Sequence, residues 1–215
     1  MLIISQLNLL LCLVNDVLDI KMIEQGQFKT KTEAFCIKNI LSFTVAMFYP
    51  QSKAQSTTVS AQTISTSDFE MLVHHGYENY SENEILPLKE ALLPERIVGD
   101  HIRLKQILIN LVKNALKFTK KGNVKIVAAY DKNTEMLKVH IVDNGKGIKH
   151  GDTKKLFKMF GKLKRTADMN SEGLGMGLMI CKKLIELNGG SIKVYSNGRD
   201  KGSMFSFTMK MKMLS

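Results

Sequence analysis

The stretch from Asp100 to Thr119 most constrains the fold of this chain. Ile102, Ile107, Leu108, Leu111, Ala115 and Phe118 recur at helical spacing, so a helix here must lay one apolar stripe on a core. Asp100 suits the N-cap, and Lys120, Lys121 and Gly122 supply a stop. Asn110 and Asn114 lie four residues apart and therefore project from the same side of the helix. Asn disfavours a helix interior, because its amide competes for backbone hydrogen bonds. Two at this spacing are either water-facing amides or the floor of a ligand site.

Composition narrows the setting. With 215 residues, 44% hydrophobic and 24% charged, the chain can form one good domain and an appendage. Cys12, Cys36 and Cys181 make neither a metal motif nor a disulfide framework, which favours a reduced, cytoplasmic compartment. The net charge of +11 is unevenly spread: residues 1–99 hold 7 basic and 11 acidic side chains, residues 100–215 hold 24 and 9. A nucleotide triphosphate or an acidic protein partner suits the basic half. Nucleic acid is not expected: there is no recognised motif, no interleaved aromatic platform and no Trp. The apolar start, Met1 to Val14, has no basic region and no clear cleavage site, and Gln6 and Asn8 interrupt it, so it does not read as a signal peptide. It is also shorter than the ~20 residues a membrane helix needs.

Residues 1–25 read as one helix, with Ile4, Leu7, Leu11, Val14 and Leu18 at the spacing of a helical-bundle seam. Gly26 should end it. A short strand is expected from Phe28 to Glu33, a helix from Phe35 to Phe48 with Pro50 just past its end, and an edge strand over Val59–Ile64. Residues 65–85, with five acids, His74, His75 and little periodicity, read as an insertion or loop. After the Asn helix come strands over Val124–Tyr130 and Met136–Val142, a short helix at 153–160, and a polar lid at 161–175. A helix over Met176–Leu187 and strands over Ser191–Tyr195 and Ser203–Met211 complete the chain. Met209, Met211 and Met213 read as strand packing.

Four sequence boxes follow one another: Asn110 with Asn114; Asp143-Asn-Gly145-Lys-Gly147-Ile148; Phe157-Lys-Met-Phe160; and Gly173-Leu-Gly175-Met-Gly177-Leu178. In this order and at these separations they resemble the nucleotide-binding boxes of the sensor histidine kinases. The resemblance extends to Asn15–Asp19, Leu93–Asp100, Ile180–Ile192 and Gly202–Thr208, and covers most of the chain outside roughly 50–85. It implies an α+β fold, a two-layer sandwich with a mixed sheet under helices and a Bergerat-type ATP site. Residues 26–215 would form that catalytic domain, and residues 1–25 the C-terminal part of a dimerisation-hairpin helix.

The resemblance also implies a chemistry. The expected cofactors are ATP and Mg²⁺, with Asn114 the metal-binding amide, Asn110 beside the phosphates and Lys117 neutralising their charge. A hard oxygen such as an amide carbonyl suits Mg²⁺. Asp143 would accept from the adenine amine, where guanine presents a carbonyl and would be repelled. Gly145, Gly147 and Ile148 would line the base, and Phe157 and Phe160 would anchor the lid or pack in the core. Gly173, Gly175, Gly177 and Leu178 would offer backbone amides to phosphate at a helix start. The Walker pattern GxxxxGK[ST] is missing. Chaperone, topoisomerase and mismatch-repair ATPases resemble this family but place a water-activating Glu where this chain has Asn110, which favours phosphoryl transfer to protein over hydrolysis. The implied partners are a histidine-bearing hairpin, the acidic receiver domain of a response regulator, and a second copy in a longer, membrane-anchored or soluble parent. None of the five histidines (His74, His75, His101, His140, His150) lies in the acceptor context of that family. An ATPase of the related class and a non-catalytic ATP-binding scaffold are the alternatives.

Overall fold

The computed structural model describes residues 18–75, 93–149, 151–157 and 176–214. Most of the N-terminal helix and the whole of the lid expected from the sequence lie outside these residues. The strands are β1 (Glu33–Phe35), β2 (Thr57–Thr63), β3 (Ile97–Gly99), β4 (Gly122–Asp131), β5 (Met136–Asp143), β6 (Ile192–Tyr195), β7 (Ser203–Lys210) and β8 (Lys212–Met213). The long helices are α1 (Ile37–Ala54), α2 (Thr66–His75), α3 (His101–Phe118) and α4 (Gly177–Leu187). The main sheet runs β2-β4-β5-β7-β6, with β2 parallel to β4 and every other pair antiparallel. A small antiparallel sheet, β1-β3-β8, stands beside it.

The mixed sheet follows from where helices interrupt the strands. β4 and β5 are joined by a tight turn and pair along the whole of β5, from Val124↔Asp143 to Asp131↔Met136. Alternation along these strands gives the sheet two different faces. Ile126, Ala128 and Tyr130 of β4 and Leu137, Val139 and Ile141 of β5 join Leu104, Ile107, Leu108, Leu111 and Leu116 of α3, with Ile180 and Leu184 of α4, in the principal core. Val127 and Ala129 face the other way and form a second, smaller core with Ile64, Phe69 and Leu72. The α+β sandwich expected from the sequence is the architecture, with α2 adding a partial layer on the far face.

Four local expectations differ. The strand near Phe28–Glu33 forms later, at Glu33–Phe35, because its register is set by the partner: Phe35 faces Ile97 and Glu33 faces Gly99. Phe28 instead lies against Arg103, with the guanidinium carbon 4.7 Å from its ring centroid. α1 does not end before Pro50 but continues through it to Ala54. Proline removes one donor there, while Thr44 and Ser52 bond the Ile40 and Tyr49 carbonyls at 2.8 and 2.9 Å, and Phe48 and Ser52 are buried. The start of the 65–85 stretch is helix rather than loop: Ser65 Oγ accepts from the Asp68 amide at 3.1 Å, and Phe69 and Leu72 reach the far face of the sheet. Ile102 is 47% exposed and is not part of the α3 stripe, which is completed by Leu104, Val112 and Leu116.

The remaining ends behave as expected. Asp100 caps α3, accepting from the Arg103 amide at 3.1 Å. Gly26 adopts φ +65 and closes the helical segment at 18–24, with Gln27 N donating to Met22 O at 2.9 Å. Met209 is a buried strand residue, Met211 is buried at the break between β7 and β8, and Met213 is half exposed on β8.

Candidate functional site

The C-terminal half of α3 is the floor on which the other candidate elements converge. Asn110, Asn114 and Lys117 occupy successive turns of this helix and are each half-buried. Its opposite stripe is fully buried, so packing holds the rotation of the helix and hence the direction of the amides. The Lys117 ammonium lies 5.9 Å from the centroid of the Phe118 ring.

α4 abuts this floor at its start. A Cβ placed on Gly177 would lie 3.4 Å from Asn110 Oδ1, so the glycine lets the helix start come close to that amide. Met176 caps α4 without a side-chain hydrogen bond, and the first intrahelical bond runs from Ile180 N to Met176 O at 3.0 Å. The amides of the first turn therefore have no carbonyl partner within the helix. Leu178 packs partly buried against the core. Gly173, Gly175 and Phe160 lie outside the described residues.

The third element is the turn after β5. Asp143 is 4% exposed; Oδ1 accepts from the Gly145 amide at 2.9 Å and Oδ2 from the Ser203 hydroxyl. Burial pushes its carboxyl above the usual range, and the hydrogen bonds from Ser203 and Gly145 pull the other way. The turn is pinned to the end of α3 through Lys146 N to Phe118 O at 3.1 Å. A Cβ on Gly145 would fall 2.5 Å from that same carbonyl oxygen. Gly147, at φ +62, sits where a Cβ would strike the Gly198 carbonyl oxygen. The space these two glycines open is thus filled by the chain's own backbone, not only offered to a ligand. Ile148 is buried and donates its amide to Ser196 Oγ at 2.9 Å. Phe157 meets Phe205 edge-on, centroids 6.5 Å apart, as a core contact.

Three supporting residues were not singled out from the sequence. Ser203 holds the Asp143 carboxylate. Ser196 joins the Ile148 turn to the β6–β7 loop, donating to Gly202 O at 2.7 Å. Asn144 Oδ1 accepts from the Asn123 amide at 2.8 Å and ties the turn to β4. The Gly202-Ser203 pair was visible as part of the resemblance, but its role depends on β7 lying beside β5, where Ser203 faces Asp143.

Donors gather along α3 and at the start of α4, while one buried acceptor stands at the end of α3. That set fits a polyanion carrying an amine-bearing base. Among the described residues no three His, Cys, Asp or Glu side chains gather as a metal cage. A cation here would need amide, phosphate and water oxygens, as Mg²⁺ accepts.

The family profile described as "Histidine kinase-, DNA gyrase B-, and HSP90-like ATPase" matches residues 99–213. The chain belongs to this ATPase family. Its relatives are two-component kinases. It is 32% identical over 212 residues to Two-component system protein A of Emericella nidulans, covering 96% of this chain and 27% of that protein. It is 30% identical over 205 residues to the sensor histidine kinase GacS of Pseudomonas protegens (94% and 19%). It is 30% identical over 209 residues to the signal transduction histidine-protein kinase BarA of Escherichia coli (96% and 20%). The chain thus spans about a fifth to a quarter of these relatives. Among solved structures, full-length ShkA in complex with AMPPNP superposes with a TM-score of 0.73 at 22% identity, covering 96% of this chain and 36% of that one. The catalytic domain of the histidine kinase ThkA superposes at 0.59 with 25% identity, covering 84% and 95%. This ATPase-family domain is therefore of the histidine-kinase catalytic type. No helix among the described residues is long and apolar enough to cross a membrane.

Proposed function

We propose that the chain is the catalytic module of a protein histidine kinase, transferring the γ-phosphoryl group of ATP to a histidine on a dimerisation hairpin. The observation that carries this reading is the convergence of the α3 amides, the uncapped start of α4 and the buried Asp143 turn on one half of α3. Asp143 accepts from the adenine amine. Asn110, Lys117 and the first-turn amides of α4 hold the phosphates. Asn114 offers its carbonyl oxygen to Mg²⁺, which when bound neutralises phosphate charge. Such catalysis is mostly positioning and charge stabilisation. Asn110 cannot act as a general base, so water is not activated there and a protein acceptor is favoured over hydrolysis.

Residues 1–25 form the end of the hairpin helix in this reading, and residues 26–215 the catalytic domain. The phosphoryl group then passes to the acidic receiver domain of a response regulator, for which the basic second half of the chain is suited. The parent acts as a homodimer in the cytoplasm, where ATP is found.

The test is transfer in trans. Incubated with Mg²⁺ and ATP, the chain should not label itself but should place acid-labile, base-stable phosphate on an added hairpin that carries an acceptor histidine. Asn114→Ala should abolish the transfer, and Asn110→Glu should raise hydrolysis. Brisk hydrolysis with no transfer to any hairpin refutes the kinase and supports the related ATPase class. ATP binding with neither activity supports a scaffold.

A further inference from the structure

The N-terminal tail is tied to the same helix that carries the candidate nucleotide amides. Asp19, on the helical segment at 18–24, is 6% exposed. Its Oδ2 accepts from an Arg103 guanidinium nitrogen at 2.8 Å and from Gln106 Nε2 at 3.0 Å. The same arginine nitrogen reaches Gln106 Oε1 at 2.7 Å, and the guanidinium carbon lies over the Phe28 ring, 4.7 Å from its centroid. The segment from 18 to 28 therefore wraps Arg103 from two sides, with Gly26 making the turn between them. Lys31 N donates to Asp100 Oδ2 at 2.9 Å and continues the attachment along the first turn of α3. Ile20 and Ile23 rest against the principal core.

Arg103, Gln106, Asn110, Asn114 and Lys117 succeed one another at intervals of three and four, so they run along one side of α3. The tail occupies the N-terminal end of that side, and the candidate nucleotide amides occupy the rest. A buried carboxylate with two donors is a specific attachment: taking away one partner leaves a buried charge, whereas apolar contacts from Ile20 and Ile23 tolerate sliding.

We propose that Asp19 is a positioning residue that latches the tail onto α3 through Arg103 and Gln106. The latch fixes the direction from which an acceptor carried on the hairpin of that helix meets the nucleotide. This rests on the function proposed above for the meaning of tail and site, while the latch is readable without it. It implies that loosening the latch lowers the transfer rate in the parent kinase without changing its affinity for ATP.

The test uses the full chain and three variants, Asp19→Asn, Arg103→Gln and the charge swap Asp19→Arg with Arg103→Asp. Hydrogen exchange is followed at Gln25, Gly26 and Gln27, whose amides close the helix end, with β5 amides as reference. Calorimetry with Mg²⁺ and ATP runs in parallel. Each single variant should speed exchange at the three tail amides tenfold or more, leave β5 protection unchanged and leave ATP affinity within twofold. The swap should restore tail protection, because Gln106 can turn its amide over to accept. Asp19→Asn keeps the side-chain shape and carries the test if Arg103→Gln does not fold. Unchanged tail exchange in Asp19→Asn, or a swap that restores nothing, overturns the latch. So does a parallel loss of ATP affinity, which would place the cluster in the nucleotide site. Absence of ATP binding in the unaltered chain sinks the nucleotide reading alone, with the exchange data still deciding the latch.

Discussion

At Asp143 a carboxylate is 4% exposed, with the Ser203 hydroxyl and the Gly145 amide as its partners. Burial raises its pKa above 3.8. A carboxyl raised in the folded state contributes stability below the unfolded pKa, and that contribution is lost as pH rises through the folded pKa. Folding is therefore opposed by this charge near neutrality, while the adenine recognition proposed above calls for it. Asp143→Asn should weaken ATP binding by about 1.5–3 kcal/mol, the usual loss for a charge-assisted hydrogen bond. It should also leave the domain at least as stable as before at pH 7. Calorimetry and denaturant melts check both halves, and the stability difference should shrink as pH falls toward 4. Equal affinity of the variant and the unaltered chain for ATP would remove Asp143 from the base site.

At the scale of elements, α2 is the part the sequence anticipated least. It covers His140, which is fully buried on β5 and stacked on Phe69 with ring centroids 3.6 Å apart. His140 Nε2 lies 3.3 Å from the Phe69 carbonyl oxygen, and Nδ1 has no partner among the described residues. Burial lowers its pKa from 6.5 to about 4, although the hydrogen bond to the Phe69 backbone and, after it, the charge of Glu70, paired with Lys138 at 2.8 Å, pull the other way. A lowered histidine pKa contributes stability above 6.5 that is lost progressively as pH falls to about 4. That span corresponds to roughly 3 kcal/mol. Acidification from pH 7 to 4 should thus release α2 before the main sheet opens. Hydrogen exchange at Phe69 to Leu72 should quicken ahead of β5. The pH dependence should largely vanish in His140→Phe, which keeps a ring without the proton.

For the whole molecule, nucleotide binding and folding are linked because the candidate site is assembled from α3, α4 and the β5 turn, elements distant in sequence. A ligand at one hundred times its dissociation constant stabilises the native state by about 2.7 kcal/mol. For a chain of this size that is roughly 5–10 °C in melting temperature. Mg²⁺ with ATP should produce such a shift and GTP at the same concentration much less. Equal shifts with the two nucleotides would sink the adenine assignment. Because the second half of the chain carries 24 basic and 9 acidic residues, the ATP shift should also shrink as salt rises.

Periodicity and capping alone determined α3, α4 and the β4–β5 pair, because these depend on local apolar spacing, the Asp100 cap and the Gly189 stop. The order of the four boxes likewise pointed to the family before any contact was known. The tertiary structure decided what no window of sequence contains. β1 took its register from β3, so its strand fell at Glu33–Phe35. α1 ran on past Pro50 because burial of Phe48 and Ser52 accompanies the turn that lacks one donor. α2 formed because Phe69 and Leu72 had Val127 and Ala129 to cover, a surface that exists only once the sheet is paired. Ser203 came to Asp143, and Asp19 to Arg103, across separations of 60 and 84 residues. Such contacts depend on chain topology, and a one-dimensional pattern carries no information about which distant residue will arrive.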